Sequence, residues 1–150
     1  MKINIKLVDF QKEYDIQQEL SINEEDLNKE LAEQPGRYAF FATLFSLAEK
    51  DYNLAELEMS QIESNLDADI RERALEDKEK LTEGKILNRV HSNPKWAAAE
   101  EKIIGCRRMR GIIRGIKERF SQRKDCLVSI ASNKRVERDA VLQIKRQEAK

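Results

Sequence analysis

Apolar residues recur at alternating steps of three and four along the middle of the chain, from Tyr38 to Leu66. This heptad spacing places one apolar stripe along an α-helix. It predicts a long acidic helix over residues 37–80, and Leu44, Leu47, Leu54 and Leu57 predict a second contact face beside the stripe. The predicted packing or oligomer seam consists of Tyr38, Phe41, Phe45, Tyr52, Met59, Ile62 and Leu66.

The N-terminal segment, residues 1–35, has a weaker pattern. Ile3, Ile5 and Leu7 alternate with polar residues, which indicates a short extended segment or the start of a fraying helix. Asn23 is a suitable N-cap for a short helix. Proline and glycine interrupt helices, so we expect that helix to end at residues 35–36.

Two further helix starts are visible after the acidic helix. Thr82 can cap a short helix over residues 82–91, and Asn93 precedes Pro94, a proline suited to the first helical position. This second start predicts a long basic helix over residues 94–131. Residues 132–133 are expected to break it before a C-terminal helix or tail over residues 134–150.

Three glycines lie inside the predicted basic helix, at positions 105, 111 and 115. Each costs about 1 kcal/mol of helix stability relative to alanine. Their presence therefore predicts close approach of another helix or of a phosphate backbone.

The composition indicates one all-α domain over residues 1–150, a long-helix bundle or coiled-coil-like protomer. Charged residues make up 37% of the chain and apolar residues 40%, which favours narrow packing stripes over a thick core. No apolar run approaches the roughly 18 residues of a membrane span. We expect a cytoplasmic protein with no membrane partner.

The charges are divided unevenly along the sequence. Residues 1–80 hold 20 acidic and 10 basic residues, whereas residues 81–150 hold 8 and 18. Such asymmetry raises the expectation of a nucleic-acid partner for the basic half. The alternative is pairing of the basic half with the acidic half, inside one chain or between subunits.

Nine basic residues lie between Lys102 and Lys124, against one acid, Glu118. At 100° per residue along a helix, five of them form a stripe on one side of the apolar face. Two others lie along the other side of that face. Such a ridge suits non-specific contact with the phosphates of a nucleic acid. The candidate nucleic-acid-binding residues on this helix are Arg107, Arg108, Arg110, Arg114, Lys117, Arg119, Arg123 and Lys124.

Signals of catalysis are absent from the sequence. It has one histidine, and Gly84-Lys85 lacks the preceding glycine that a phosphate-binding loop requires. The many carboxylates fit a solvated helical surface better than a paired acid–base site. We therefore expect no enzyme, no metal site and no cofactor.

Several segments, taken in order, resemble the bacteriophage recombination-mediator family of the UvsY type. The likeness covers roughly residues 70–138 and includes the stretches Ile70-Arg71-Glu72-Arg73, Glu83-Gly84-Lys85 and Phe120-Ser121-Gln122-Arg123-Lys124-Asp125-Cys126-Leu127. These segments agree with the family more closely in their order and spacing than in the identity of their residues.

The resemblance implies a ring-like homo-oligomer in the host cell that binds single-stranded DNA in DNA recombination, repair and replication. Its implied partners are the phage recombinase, single-strand-binding protein and further copies of itself. The family's basic pair implicated in strand binding falls on Arg71 and Arg73. The alternative function is a non-enzymatic adaptor or structural oligomer, including a helicase-loader type, whose charge halves pair between subunits.

Overall fold

The computed structural model describes residues 1–148, and these are mostly helical. The chain begins with a two-stranded sheet, β1 (Lys2–Lys6) and β2 (Gln11–Asp15), followed by α1 (Ile16–Leu20) and a 3₁₀ turn (Glu24–Asp26). Three helices complete it, α2 (Leu27–Glu76), α3 (Glu83–His91) and α4 (Pro94–Glu148). The helical class is confirmed, with a small hairpin added to it.

The sequence located the starts of α3 and α4, but α2 begins at Leu27, ten residues before the predicted start at 37. Of the two alternatives for residues 3–7, an extended segment or the start of a fraying helix, the structure has the first, since β1 forms there with Ile5 fully buried. Thr82 caps α3 by accepting a hydrogen bond from the Lys85 N–H, and Asn93 caps α4 in the same way through the Lys95 N–H. Asn23 does cap a turn, but the turn is 3₁₀ and leads directly into α2.

The predicted helix end at residues 35–36 is wrong. Helix α2 continues through Pro35 and Gly36 without interruption. Proline removes one backbone hydrogen bond and crowds the carbonyl one turn earlier. Packing on both sides outweighs that cost, because Gln34 is buried and donates to the Phe120 carbonyl at 2.6 Å, while Phe41 stacks on Phe120 at 4.9 Å.

The predicted break at residues 132–133 is also wrong, since α4 runs on to Glu148. Serine and asparagine each cost only a few tenths of a kcal/mol to about 0.7 kcal/mol in a helix interior. Strong helix formers surround them, so the helix continues. Of the predicted C-terminal element over 134–150, residues 149–150 lie outside the described residues.

The chain forms two compact units, and both α2 and α4 contribute to each. The first comprises residues 1–5, 12–45 and 113–150, and the second comprises residues 6–11 and 46–112. In the first unit Phe41, Phe120, Ile113 and Leu127 are almost fully buried. In the second unit Ala55 and Met59 of α2 pack against Ala99 and Ile103 of α4.

Most of the predicted seam lies in these two cores, but not all of it. Phe41, Met59 and Leu66 are buried, and Phe45, Tyr52 and Ile62 are half-buried. Tyr38 is 39% exposed, so it does not pack in a core of the single chain, and its place in an oligomer seam stays a prediction. The second contact face is only partly formed, because Leu44 is buried and Leu47 half-buried, whereas Leu54 and Leu57 face solvent.

The glycines of α4 do not mark a close helix contact within the chain. A Cβ atom built at Gly105, Gly111 or Gly115 would meet nothing within 4 Å among the described residues. The expectation of a closely approaching helix is therefore wrong for the single chain. Approach of a phosphate backbone stays a prediction.

Candidate nucleic-acid interface

In the second unit, the arginines of α4 gather around one aromatic ring of α2. The guanidinium of Arg110 lies 4.1 Å from the centre of the Tyr52 ring, and that of Arg107 lies 5.9 Å from it. The Tyr52 hydroxyl donates a hydrogen bond to Glu56. Because a guanidinium over a ring face keeps its N–H edges, both arginines are positioned and still able to donate to a phosphate.

Sequence reasoning placed Tyr52 only in the packing seam and missed its contact with the arginines. Tyr52 and Arg107 are 55 positions apart, and no periodicity within one helix relates them. Their contact follows from the way α2 and α4 pack within this unit. Once the pairing of the two helices is known, an aromatic residue that faces the basic helix would identify such a contact between a ring and the arginines.

In the first unit, Lys117 occupies a similar position over Phe45, with its Nζ atom 4.4 Å from the ring centre. Arg114 is exposed and donates to Glu118 of the next turn at 3.0 Å. Exposed pairs of this kind contribute at most about 1 kcal/mol. A phosphate can therefore compete with Glu118 for Arg114.

Arg108 and Arg119, the predicted flank residues, are both exposed. Within residues 1–148 neither forms an ion pair or a side-chain hydrogen bond. Both are therefore available to an external anion.

Two other lysines of α4 are partly neutralised. Lys102 of the second unit donates to Glu58, and this hydrogen bond raises the pKa of the ammonium group. Lys124 of the first unit is exposed and lies 3.7 Å from Asp125. Both pairs are open to solvent, which limits their strength.

Arg123 corrects the sequence-based prediction. Its side chain is only 2% exposed, and its guanidinium forms an ion pair with Glu30. It also donates to the Gln34 side chain at 2.6 Å and to the Ser21 carbonyl at 2.9 Å. A guanidinium so fully occupied inside the protein cannot also reach a phosphate, so Arg123 leaves the candidate set.

Arg71 and Arg73, suggested by the family resemblance, also differ from each other, because one is paired and the other is not. Arg71 donates to Asp67 at 2.8 Å and to both carboxylate oxygens of Glu83. These contacts join α2 to α3 and raise the pKa of Arg71 further above its usual value. Arg73 is exposed and, within residues 1–148, has no ion pair. Of these two, Arg73 is the better candidate for an external anion.

The uneven charge of the two sequence halves largely disappears in space. The first unit contains 15 basic and 13 acidic residues, and the second contains 13 and 15. Acidic α2 and basic α4 contribute to both units, so each is close to neutral. Any nucleic-acid interface therefore depends on which cations stay unpaired, and not on the net charge of a unit.

Five of the nine basic residues between 102 and 124 stay unpaired within residues 1–148. They have no carboxylate within ion-pair distance, while the other four have one. Three of the five lie in the second unit and two in the first. The five are Arg107, Arg108, Arg110, Lys117 and Arg119.

Residues 1–148 contain no cluster of three or more His, Cys, Asp or Glu side chains able to hold a metal ion. No helix in that range is both long enough and apolar enough to span a membrane. No family model matches this chain, and no curated protein or solved structure matches it either.

Proposed function

We propose that this protein is a phage recombination mediator that binds single-stranded DNA without sequence preference. The observation that carries the proposal is that five of the nine cations between positions 102 and 124 of α4 have no acidic partner within residues 1–148. The protein fold leaves them charged and uncompensated. A polyanion is the partner that such a set fits best.

The binding chemistry follows from the residues themselves. Arg110 lies over the Tyr52 ring, so little of its side-chain freedom is lost when it contacts phosphate oxygens, and Arg107 lies near the edge of the same contact. Phosphate contacts carry no sequence information. They release counterions, so the affinity for a single strand should fall steeply as salt is added.

Loading of a recombinase is the biological role that the family resemblance adds. In this role the protein holds a strand already coated by single-strand-binding protein and gives the phage recombinase access to it. Such mediation needs positioning and exchange of partners. It requires neither an enzyme active site nor a cofactor.

Assembly into a ring-like homo-oligomer is part of the proposal. Apolar side chains on the C-terminal part of α4 are exposed, including Val136, Val141 and Ile144. Leu54 and Leu57 of α2 are exposed as well. Contact with other subunits would cover such residues, and several subunits together would extend the DNA-binding surface.

A loading assay tests the role directly. A phage recombinase that hydrolyses ATP on single strands is inhibited when single-strand-binding protein coats the DNA first. Adding this protein should restore the ATPase rate, and a variant with Arg107, Arg108 and Arg119 changed to glutamate should not. Restoration by the variant, or none by the wild type, would refute the proposal.

The second candidate is a structural or adaptor protein without a nucleic-acid role, including a helicase-loader type. The near balance of charge within each unit favours it, because neither unit as a whole carries the positive excess that attracts a polyanion. This candidate predicts no binding to an oligonucleotide at low salt. Capture of a replicative helicase, with no effect on the recombinase, would distinguish the helicase-loader form.

A further inference from the structure

A groove of about 420 Å³ opens in the first unit, between the start of α2 and the middle of α4. Its volume lies within the range of small-molecule sites. Leu31 and Pro35 contribute apolar surface, Phe120 lies buried in the wall, and Tyr38, Ser121 and Lys124 add polar groups. The α2 residues follow helical spacing and share one face, as do the α4 residues.

Tyr38 differs from the other aromatic residues of the chain. The chain has nine of them, and the other eight all make a ring contact, a cation–π contact or another polar interaction. Within residues 1–148 Tyr38 makes none, and it is 39% exposed. The heptad pattern placed Tyr38 in the packing or oligomer seam, and in the structure it lines an open groove.

The wall of the groove beside Tyr38 is held rigidly. Gln34 is buried, donating to the Phe120 carbonyl at 2.6 Å and accepting from Arg123 at 2.6 Å. Phe120 is fully buried and stacked on Phe41. A groove formed by fixed groups does not need to reorganise to receive a flat ligand, which lowers the cost of binding.

The rim of the groove carries a positive charge. The Lys124 side chain is 63% exposed, and its ion pair with Asp125 spans 3.7 Å in solvent. An exposed pair of that length is weak, so Lys124 can exchange Asp125 for a phosphate. An aromatic face with a cation at the same groove suits a ligand that combines a flat ring with an anion.

We propose that this groove binds one nucleotide of single-stranded DNA, with the base against the Tyr38 ring and a phosphate at Lys124 Nζ. The proposal rests on the proposed function and adds to it. The arginines of α4 would contact the backbone alone, whereas this groove would contact a base. Stacking on an aromatic ring is tolerant of sequence because every base has a π-face.

The test compares two labelled strands of equal length by fluorescence anisotropy, oligo(dT) and a fully abasic strand. Both carry the same phosphates, but only the first has bases. Tyr38→Ala should weaken binding to oligo(dT) about tenfold and leave the abasic strand within about twofold. Tyr38→Phe keeps the ring and should bind oligo(dT) as the wild type does.

Lys124→Gln should weaken binding to both strands alike, because both retain the phosphate. Lys29→Gln is the matched control, since Lys29 is an exposed cation of the same unit that does not line the groove. Thermal unfolding of each variant confirms that it is folded.

Two results would overturn the groove proposal while leaving DNA binding intact. One is an equal loss on both strands for Tyr38→Ala, and the other is no loss on either. A wild type that binds neither strand at low salt would overturn the proposed function, and the nucleotide site with it. Preferential binding of an apolar peptide over both strands would assign the groove to a protein partner.

Discussion

The buried guanidinium of Arg123 forms an ion pair with Glu30, a residue 93 positions earlier in the chain. One partner belongs to the basic half of the sequence and the other to the acidic half. Part of the charge separation in the sequence is thus used to hold the first unit together. The cations that lack such partners are the ones left for an external ligand.

Replacing Arg123 should strongly destabilise the protein. Arg123→Ala removes one partner of a buried pair and leaves Glu30 and two backbone carbonyls without their donor, so we expect a loss of about 3–5 kcal/mol in the free energy of unfolding. Arg119→Ala, at an exposed residue, should change it by less than about 0.5 kcal/mol. Urea unfolding measures the free energy of unfolding of both variants. Equal values for the two variants would contradict the structural role of Arg123.

The same pair predicts how stability depends on pH. Burial raises the pKa of Glu30, but hydrogen bonds from Arg123 and the Asn23 N–H, with the positive charge of Arg123, outweigh it and lower the pKa below 4.5. A lowered pKa contributes stability that is complete above the unfolded value and is lost as the pH falls below it. The wild type should therefore lose stability more steeply than Glu30→Gln below about pH 4.5. Parallel unfolding curves from pH 6 to 3 would contradict this prediction.

The division of the arginines into paired and unpaired residues predicts different salt responses. On single strands each lost phosphate contact should reduce the slope of log K against log salt by about 0.7, so changing both Arg107 and Arg108 to glutamine should reduce it by about 1.4. Arg71→Gln is the control, because Arg71 is already paired with Asp67 and Glu83. A slope for Arg71→Gln reduced as much as for the double variant would show that pairing does not decide which arginines bind.

Gly111 tests whether a phosphate backbone approaches the glycines of α4 closely. A Cβ atom there meets nothing within 4 Å, so Gly111→Ala should increase the free energy of unfolding by about 1 kcal/mol. If a phosphate backbone approaches this position, the same variant should bind single-stranded DNA more weakly. Gly36→Ala, equally unobstructed in α2, should add stability and leave DNA binding unchanged. Unchanged DNA binding by both variants would rule out close phosphate contact at Gly111.

The sequence predicted the helical class because its signals are local. Heptad spacing and capping side chains act within a few residues, and Thr82 and Asn93 begin their helices as expected. The continuation of α2 through Pro35 could not be predicted in this way. It depends on Phe120 and the Gln34 side chain meeting across 86 positions.

The candidate site shows the same limit. Counting charges identified α4 as the basic helix, but all nine of its cations between 102 and 124 look alike in the sequence. Their different environments depend on α2. Glu30 forms an ion pair with the buried Arg123, and the Tyr52 ring lies under Arg110. Tyr38, predicted to lie in the packing or oligomer seam, lines a groove.

The most direct test of the central claim measures DNA binding and self-assembly separately over one salt series. Anisotropy with a labelled oligonucleotide follows binding, and sedimentation velocity follows assembly. We predict tight binding at low salt that falls linearly on a log–log plot of affinity against salt, with a slope near −0.7 per phosphate contact, while the oligomer persists. No binding at the lowest salt, together with an oligomer that dissociates as salt is added, would show that these cations join subunits and do not bind DNA.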